Sequence, residues 1–133
     1  MYLLDTNIVS ELRKKKPHGA VVAWINDISD AELFVCAVTL AEIQSGIELT
    51  REQDAEKANS IEAWLDQVAA AYNVLPMGTE IFREWAKLMH NESDTVYEGA
   101  MIAACARIHK LTVVTRNVRD FKRFDVPIFN PFG

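Results

Sequence analysis

Short apolar runs alternate along this chain with longer segments in which apolar residues recur every three or four positions. Five runs have the length and composition of buried strands, at 2–4, 33–38, 73–76, 111–115 and 127–130. Helical spacing predicts helices over about 8–14, 21–28, 51–72, 79–90 and 97–109, and a further one that begins at Thr39. This alternation predicts an α/β fold with a mainly parallel central sheet flanked by helices.

Polar residues mark where two of these helices are expected to begin. Thr6 or Asn7 is placed to cap the first helix, and Pro17 to close it. Thr39 and Glu42 have the spacing of a capping box, in which each side chain accepts a hydrogen bond from the other residue's backbone N–H. Both helices would then start just beyond the carboxyl end of a strand.

The size and composition of the chain fit one globular domain over residues 1–133. Cys36 and Cys105 lie in apolar runs without a neighbouring cysteine, which favours reduced core residues over a disulfide or a zinc site. No apolar run is long enough to span a membrane, and Asp5 interrupts the start where a signal peptide would stay apolar. We therefore expect a cytoplasmic protein without a membrane partner.

The charges of the chain are unevenly distributed. The net charge of −5 argues against a protein that binds nucleic acid by bulk attraction, but not against an enzyme whose acids surround a metal. Basic residues cluster at 13–16 and, more loosely, between Arg107 and Arg123. Each cluster is either a solvated face or a functional patch, and both interpretations stay open.

Several polar residues follow the predicted strands, where the strands of a parallel sheet place a ligand site. They are Asp5 after the first strand, Glu42 one helical turn past the second, and Thr115, Asn117 and Asp120 at or beyond the fourth. Because clustered carboxylates repel one another, a fold tolerates them mainly around a cation. Oxygen ligands without His or Cys favour Mg²⁺ or Mn²⁺, which polarise a phosphoryl group and activate a bound water.

Each of these residues also has a purely structural interpretation. Asp5 could cap the following helix, Glu42 could complete the capping box, and Asn117 and Asp120 could be turn residues. The three histidines are scattered, and the chain has no P-loop, GxGxxG or GxSxG motif. The joint placement of the acids at strand ends, rather than any single acid, indicates a metal site.

Taken in order, the motifs that hold these residues resemble the PIN domain, and specifically the VapC-type toxins of type II toxin–antitoxin systems. The resemblance covers essentially the whole chain, as a single PIN domain over residues 1–133. The matching motifs are LLDTNIVSEL (3–12), VTLAEI (38–43), AMIAACA (100–106), LTVVTRNVRDF (111–121) and VPIFNP (126–131).

The resemblance implies a three-layer sandwich, a homodimer, and a Mg²⁺- or Mn²⁺-dependent endoribonuclease that cuts tRNA or rRNA. It also implies a cognate VapB-like antitoxin, with operator DNA bound only through the antitoxin complex. Asp5 and Glu42 would be metal ligands. The other expected site residues are Asn117 and Asp120, with Thr6, Asn7, Thr115 and Glu98 in supporting roles.

The chain departs from the family pattern at Gly99, where these toxins carry an aspartate directly before the Ala-Met-Ile-Ala-Ala run. Glu98 is rotated by about 100° from that position on a helix, so we expect it not to point where the missing carboxylate would point. The loss of one acid from a site with few ligands predicts weaker metal binding and weaker catalysis.

Three explanations of Gly99 are open. It is an inactivating change, made or selected so that a toxic enzyme could be expressed; or a natural variant in which Glu98 or Asp94 takes over; or the mark of a degenerate relative that binds an antitoxin without cutting RNA. We favour the first, because the other motifs are intact.

Two other functions compete with the nuclease. One is a non-catalytic PIN-like module that binds an antitoxin and contributes to transcriptional autorepression. The other is a phosphatase or response-regulator-like domain, which would need an acceptor aspartate at the end of a middle strand. The middle strand here ends in Val38-Thr39, which disfavours it.

Overall fold

Five short parallel strands form the central layer of the computed structural model, which describes residues 1–133. The strands are β1 (Tyr2–Leu4), β2 (Leu33–Cys36), β3 (Asn73–Leu75), β4 (Thr112–Val114) and β5 (Ile128–Phe129). Their order across the sheet is β3-β2-β1-β4-β5, and every neighbouring pair is parallel. The predicted parallel α/β sheet is therefore confirmed.

Seven α-helices cover both faces of this sheet. They are α1 (Thr6–Arg13), α2 (Gly19–Asp27), α3 (Ala37–Arg51), α4 (Ala55–Ala71), α5 (Thr79–Met89), α6 (Tyr97–His109) and α7 (Val118–Lys122). On one face, Leu3 and Val113 pack with buried residues of α5, α6 and α7. On the other, Leu4 and Val114 pack with α1, α2 and α4. Successive residues of one strand thus face opposite layers, and the result is a three-layer sandwich.

Helix α6 is the most deeply buried helix, as its run of small apolar residues predicts. Ala100 and every residue from Ile102 to Ala106 are buried. Cys105 belongs to this run, and Cys36 ends β2; both thiols are buried and unpaired, in agreement with the expectation of core cysteines. Small side chains allow α6 to lie close to the sheet. Because α6 leads directly into the start of β4, its first turn lies at the carboxyl end of the strands.

The order of the strands creates a crevice beside β1. The chain moves from β1 to β2 and β3 on one side, and β4 then pairs with β1 on the other side. Connections that leave in opposite directions open a gap beyond the carboxyl ends of the strands, where α/β folds bind their ligands. Asp5 follows β1 here, and its N–H donates to Val114 O at 2.9 Å.

The predicted starts of two helices were wrong. Helix α1 begins at Thr6, two residues before the expected start near residue 8, because the Asp5 carboxylate accepts a hydrogen bond from the Thr6 N–H and caps the helix in place of Thr6 or Asn7. Helix α3 begins at Ala37, directly after β2, so Thr39 lies inside its first turn and the predicted capping box does not form. Glu42 is thereby free to bond with Thr6 instead.

The predicted helix over 51–72 is present but begins later, at Ala55. Helix α3 continues to Arg51, and α4 begins at Ala55, where the Asp54 carboxylate accepts from the Lys57 N–H at 3.0 Å. The short helix α7 had no apolar repeat long enough to predict it. None of the helices is both long and apolar enough to cross a membrane.

The packing of β1 between the two helical layers predicts how much the side chain of Leu3 contributes to the free energy of unfolding. Replacing the fully buried Leu3 by Ala should lower the free energy of unfolding by about 2–5 kcal/mol, because the substitution leaves a cavity. The matched control is Leu49→Ala on α3, whose side chain is 65% exposed, with an expected change within about 0.5 kcal/mol. Urea unfolding followed by circular dichroism measures both, and equal effects would contradict the placement of Leu3 in the core.

Candidate active site

A cavity of about 380 Å³ opens at the carboxyl edge of the sheet, in the crevice between β1 and β4. Helix starts and loops from four parts of the chain contribute polar groups to its wall. These polar lining residues are Asp5, Thr6, Asn7, Glu42, Thr95, Glu98, Asn117 and Asp120, with Gly99 beside them. The structure therefore brings together all of the predicted site residues except Thr115, which lies directly behind Asp5.

Asp5 is held at the floor of the cavity by hydrogen bonds to both of its carboxylate oxygens. Its Oδ1 accepts from the Thr6 N–H at 2.8 Å, and its Oδ2 accepts from Thr115 Oγ1 at 2.8 Å and Asn7 Nδ2 at 3.1 Å. The residue is only 7% exposed. Burial raises the pKa of Asp5 above its ordinary value, and the charge of Asp120 raises it further, while the hydrogen bonds from Thr115 and Thr6 act to lower it.

Thr115 and Asn7 connect the ends of β1 and β4 behind this carboxylate. The Thr115 hydroxyl donates to Asp5 and accepts from the Asn117 N–H at 2.9 Å. Asn7 Oδ1 accepts from the Arg116 N–H at 3.3 Å. The loop after β4 is thereby tied to the start of α1, so the position of Asp5 and the position of Asn117 depend on each other.

Glu42 approaches Asp5 from the first turns of α3 and is held by a single side-chain partner. Thr6 Oγ1 donates to Glu42 Oε1 at 2.8 Å, and the Thr6 hydroxyl also lies 3.1 Å from the hydroxyl of the buried Thr39. Burial raises the pKa of Glu42, and the charges of Asp5 and Glu98 raise it further, against the lowering effect of the Thr6 hydrogen bond. One residue, Thr6, thus connects the two acids: its N–H binds Asp5 and its hydroxyl binds Glu42.

The first turn of α6 forms the opposite wall of the cavity. Gly99 lines it, and a Cβ atom added at Gly99 would have no neighbouring atom within 4 Å. Glu98 is exposed, takes part in none of the ion pairs, and also lines the cavity. A rotation of about 100° along the helix therefore does not remove Glu98 from the site. Asp94 is not among the lining residues.

Asn117 and Asp120 complete the acidic wall from the start of α7. Asn117 is the residue before this helix, and Asp120 lies in its first turn. Sequence reasoning missed Thr95 and the apolar part of the wall, which comes from Val96, Ile102, Phe121 and Phe124. It also missed Thr39 as a buried neighbour of Thr6. Only the burial of the hydroxyl of Thr39, which no sequence pattern reveals, distinguishes it from an ordinary capping residue.

The chemistry of this donor set fits a hard cation. Carboxylate, amide and hydroxyl oxygens line the cavity, and no His or Cys does. No three acidic, His or Cys side chains are grouped closely enough to hold a metal ion as they stand. Asp5 and Glu42 are the two acids joined by a shared partner, and a third would have to come from position 99, from Glu98 or from Asp120.

The chain is similar to known proteins over almost its whole length. The family model of the PIN domain matches residues 2–127. Toxin FitB of Neisseria gonorrhoeae is 33% identical, and the match covers 99% of each chain. The VapC ribonuclease Y4jK of Sinorhizobium fredii is 34% identical over 99% of this chain and 98% of its own length. The structure of FitAB bound to an IR36 DNA fragment is 29% identical, with a TM-score of 0.86 over 100% of this chain and 96% of the other.

The mutual repulsion of these acids can be tested by removing one charge. Glu42→Gln keeps an oxygen for the Thr6 hydroxyl, and should raise the melting temperature at pH 7 by a few degrees when no divalent metal is present. A raised pKa in the folded state means that the ionised carboxylate opposes folding above that pKa. The effect disappears below about pH 4, where the group is neutral in both states, so the gain should vanish on acidification.

Thermal unfolding of the parent chain and of Glu42→Gln, at pH 7 and below about pH 4, measures the change in melting temperature. Asp66→Asn, which removes an exposed carboxylate from the middle of α4, serves as the control and should change little at either pH. A melting temperature for Glu42→Gln at pH 7 equal to or below that of the parent would show that the acids do not destabilise each other.

Proposed function

The chain belongs to the PIN domain family, and on that premise we propose that it is a metal-dependent RNA endonuclease, the toxin of a toxin–antitoxin pair, weakened by Gly99. The proposal takes residues 1–133 as a single PIN domain. Its main support is a pair of acids, the buried Asp5 and the half-buried Glu42, joined through Thr6 in an oxygen-lined cavity. The names of its relatives, a toxin and a VapC ribonuclease, agree with it.

In this proposal Asp5 and Glu42 hold a Mg²⁺ or Mn²⁺ ion. When bound, the ion would polarise the scissile phosphoryl group and lower the pKa of a water. Thr115 and Asn7 keep the Asp5 carboxylate in a fixed orientation, and Thr6 does the same for Glu42. Burial, and to a smaller extent the charges of neighbouring acids, raise the pKa of both carboxylates, and a bound cation would oppose both effects.

Asn117 acts from the loop after β4, and Asp120 acts from the first turn of α7. The Asn117 backbone is fixed by Thr115, which leaves its side chain on the cavity wall to contact a phosphate or a water. Asp120 extends the acidic set and is close enough to Asp5 for its charge to raise the Asp5 pKa. Both are therefore assigned to the catalytic site.

Gly99 leaves this site short of one carboxylate. An aspartate there would project from the first turn of α6 into open space beside the other acids. We infer that Gly99 is an inactivating change in an otherwise intact site. Glu98 remains the candidate for a natural replacement, because it lines the same cavity and its charge acts on Glu42.

A VapB-like antitoxin would bind in a groove that opens beside the site. The groove, of about 340 Å³, shares Thr6 and Glu42 with the acidic cavity and lies between α1, α3 and α4. Its apolar lining is Ile43, Ile47, Ile61 and Trp64. An apolar antitoxin tail would fill the groove and place a basic residue against Asp5 and Glu42. The similar FitAB is bound to a DNA fragment, and by analogy this chain would bind operator DNA through its complex with the antitoxin. A homodimer and a cytoplasmic location complete the proposal.

A non-catalytic module that binds the antitoxin and aids autorepression is the second candidate. The observation that favours it is the absence of three closely grouped acids. Metal-dependent cleavage of RNA distinguishes the two functions. A binding module would not cut RNA, either as the parent chain or with Gly99 replaced by Asp.

Restoring the missing acid tests the nuclease directly. Gly99→Asp should increase cleavage of total tRNA and rRNA in Mg²⁺ or Mn²⁺ by at least about 100-fold, which corresponds to about 2.7 kcal/mol of transition-state stabilisation. Asp5→Ala, introduced on the Gly99→Asp background, should abolish that gain. If neither form cuts any RNA, the non-catalytic module is the better assignment.

Measurements of metal binding, rather than cleavage alone, decide whether Glu98 or an aspartate at position 99 is the third metal ligand. Titration of Mn²⁺ by calorimetry should give tighter binding for Gly99→Asp than for the parent chain, and Glu98→Gln should leave the affinity of Gly99→Asp unchanged. If the parent chain binds Mn²⁺ and cuts RNA as well as Gly99→Asp, and Glu98→Gln removes both properties, then Glu98 is the third ligand and Gly99 is not inactivating.

A further inference from the structure

A continuous chain of contacts leads from the acidic cavity to the basic turn after α1. Asn7 donates to Asp5 with its amide nitrogen and accepts from the Arg116 N–H with its amide oxygen. Arg116 is exposed, directly follows the buried Thr115, and forms none of the ion pairs of the chain. The backbone of Arg116 is therefore fixed at the edge of the site, and its side chain is exposed to solvent.

The side chain of Arg116 is held against an aromatic ring. Its Cζ lies 4.0 Å from the centre of the Phe132 ring, and the ring of His18 packs edge-on against the same ring with centroids 5.0 Å apart. A guanidinium stacked on an aromatic face loses little further freedom when it binds an anion. The stacked arginine thus extends from the site toward the turn that holds His18.

Helix α1 ends at Arg13, and the turn that follows carries Lys14, Lys15 and Lys16; all four basic residues are exposed. One buried acid bonds with this turn. Glu11 is 6% exposed, and it accepts from Lys14 Nζ at 2.9 Å and from the His18 N–H at 3.0 Å. These hydrogen bonds, with a smaller effect of the Arg116 charge, hold the pKa of Glu11 below its usual range.

The charges of this region do not balance. Glu11 offsets one cation, while Lys15 and Lys16 have no acidic partner, and neither does Arg116. The surface is therefore strongly positive in a chain whose net charge is −5. Like charges held together without partners cost stability, and they favour a polyanion as the ligand.

We propose that this surface, which we call the cationic track, binds the backbone of single-stranded RNA and feeds it into the acidic cavity. The track consists of Lys14, Lys15, Lys16, His18, Arg116 and Phe132. The proposal rests on the proposed nuclease function, and it adds the binding site for the RNA that flanks the cleaved phosphate. Acidic walls repel a phosphate backbone, so an adjoining basic surface supplies the attraction that the cavity itself lacks.

The competing explanation is that Arg116 only fastens the end of the chain. Phe132 packs partly against the core that surrounds β1, and Arg116 covers its ring. Lys15 and Lys16 separate the two explanations, because they make no hydrogen bond or ion pair and do not contribute to that fastening. Their replacement should leave the fold unchanged while removing two positive charges from the track.

The experiment measures RNA binding in EDTA, so that it is independent of cleavage. A fluorescent single-stranded RNA of about 12 nucleotides is titrated with the parent chain and with Lys15→Gln/Lys16→Gln at several salt concentrations. If each lysine contacts one phosphate, affinity at 0.1 M salt should fall about 25-fold, and the slope of log affinity against log salt should decrease in magnitude by about 1.4. Lys57→Gln/Lys110→Gln, an equal change of charge on α4 and at the end of α6, should change neither quantity.

Arg116→Gln provides a second measurement. It should weaken RNA binding about fivefold at 0.1 M salt, with the melting temperature recorded in parallel. Equal losses in the two double-lysine variants, or no RNA binding by the parent chain, would overturn the track. If the track variants lose RNA binding and Gly99→Asp still cuts no RNA, the cationic track binds RNA and the nuclease proposal is wrong. If Gly99→Asp cuts RNA with a KM that the track variants leave unchanged, the nuclease stands without the track.

Discussion

The buried carboxylate of Asp5 is the group on which the site and much of the fold around it depend. It terminates the central strand, caps α1 through the Thr6 N–H, and accepts from Thr115 at the end of the neighbouring strand. A carboxylate with several donors keeps its orientation even where burial raises its pKa. The junction of β1, β4 and α1 is therefore built around one negative charge, and any ligand in the crevice meets that charge first.

The other acids are gathered around Asp5 at a cost to stability. Glu42 reaches it from α3 through the hydroxyl of Thr6, and Glu98 and Asp120 stand on α6 and α7. Burial raises the pKa of Asp5 and of Glu42, and the charges of Asp120 and of Glu98 add to the two shifts, so the ionised group would be more stable with a cation bound. In the proposed nuclease, Gly99 reduces this repulsion and at the same time reduces the affinity for the cation. The same substitution thus favours the folded protein without metal and disfavours the reaction.

The distribution of charge links the two proposals. An acidic cavity attracts a divalent cation and repels the backbone of a nucleic acid, whereas the turn after α1 and Arg116 present uncompensated positive charge next to it. Asn7 contacts both regions, since its amide binds Asp5 on one side and the Arg116 backbone on the other. Binding of the RNA strand and binding of the metal would therefore be neighbouring but separate functions of the same edge of the sheet.

The sequence by itself determined the alternation of strands and helices, the parallel sheet, and the placement of Asp5, Glu42, Asn117 and Asp120 near one edge, because period and strand ends are local properties. It did not determine the helix starts at Thr6 and Ala37, where a side chain or a strand end decides between neighbouring residues. Only the tertiary structure decided that Glu98 lines the cavity and that Arg116 stacks on Phe132. Those contacts join segments far apart in the chain, and their geometry follows from how the layers pack rather than from any local pattern.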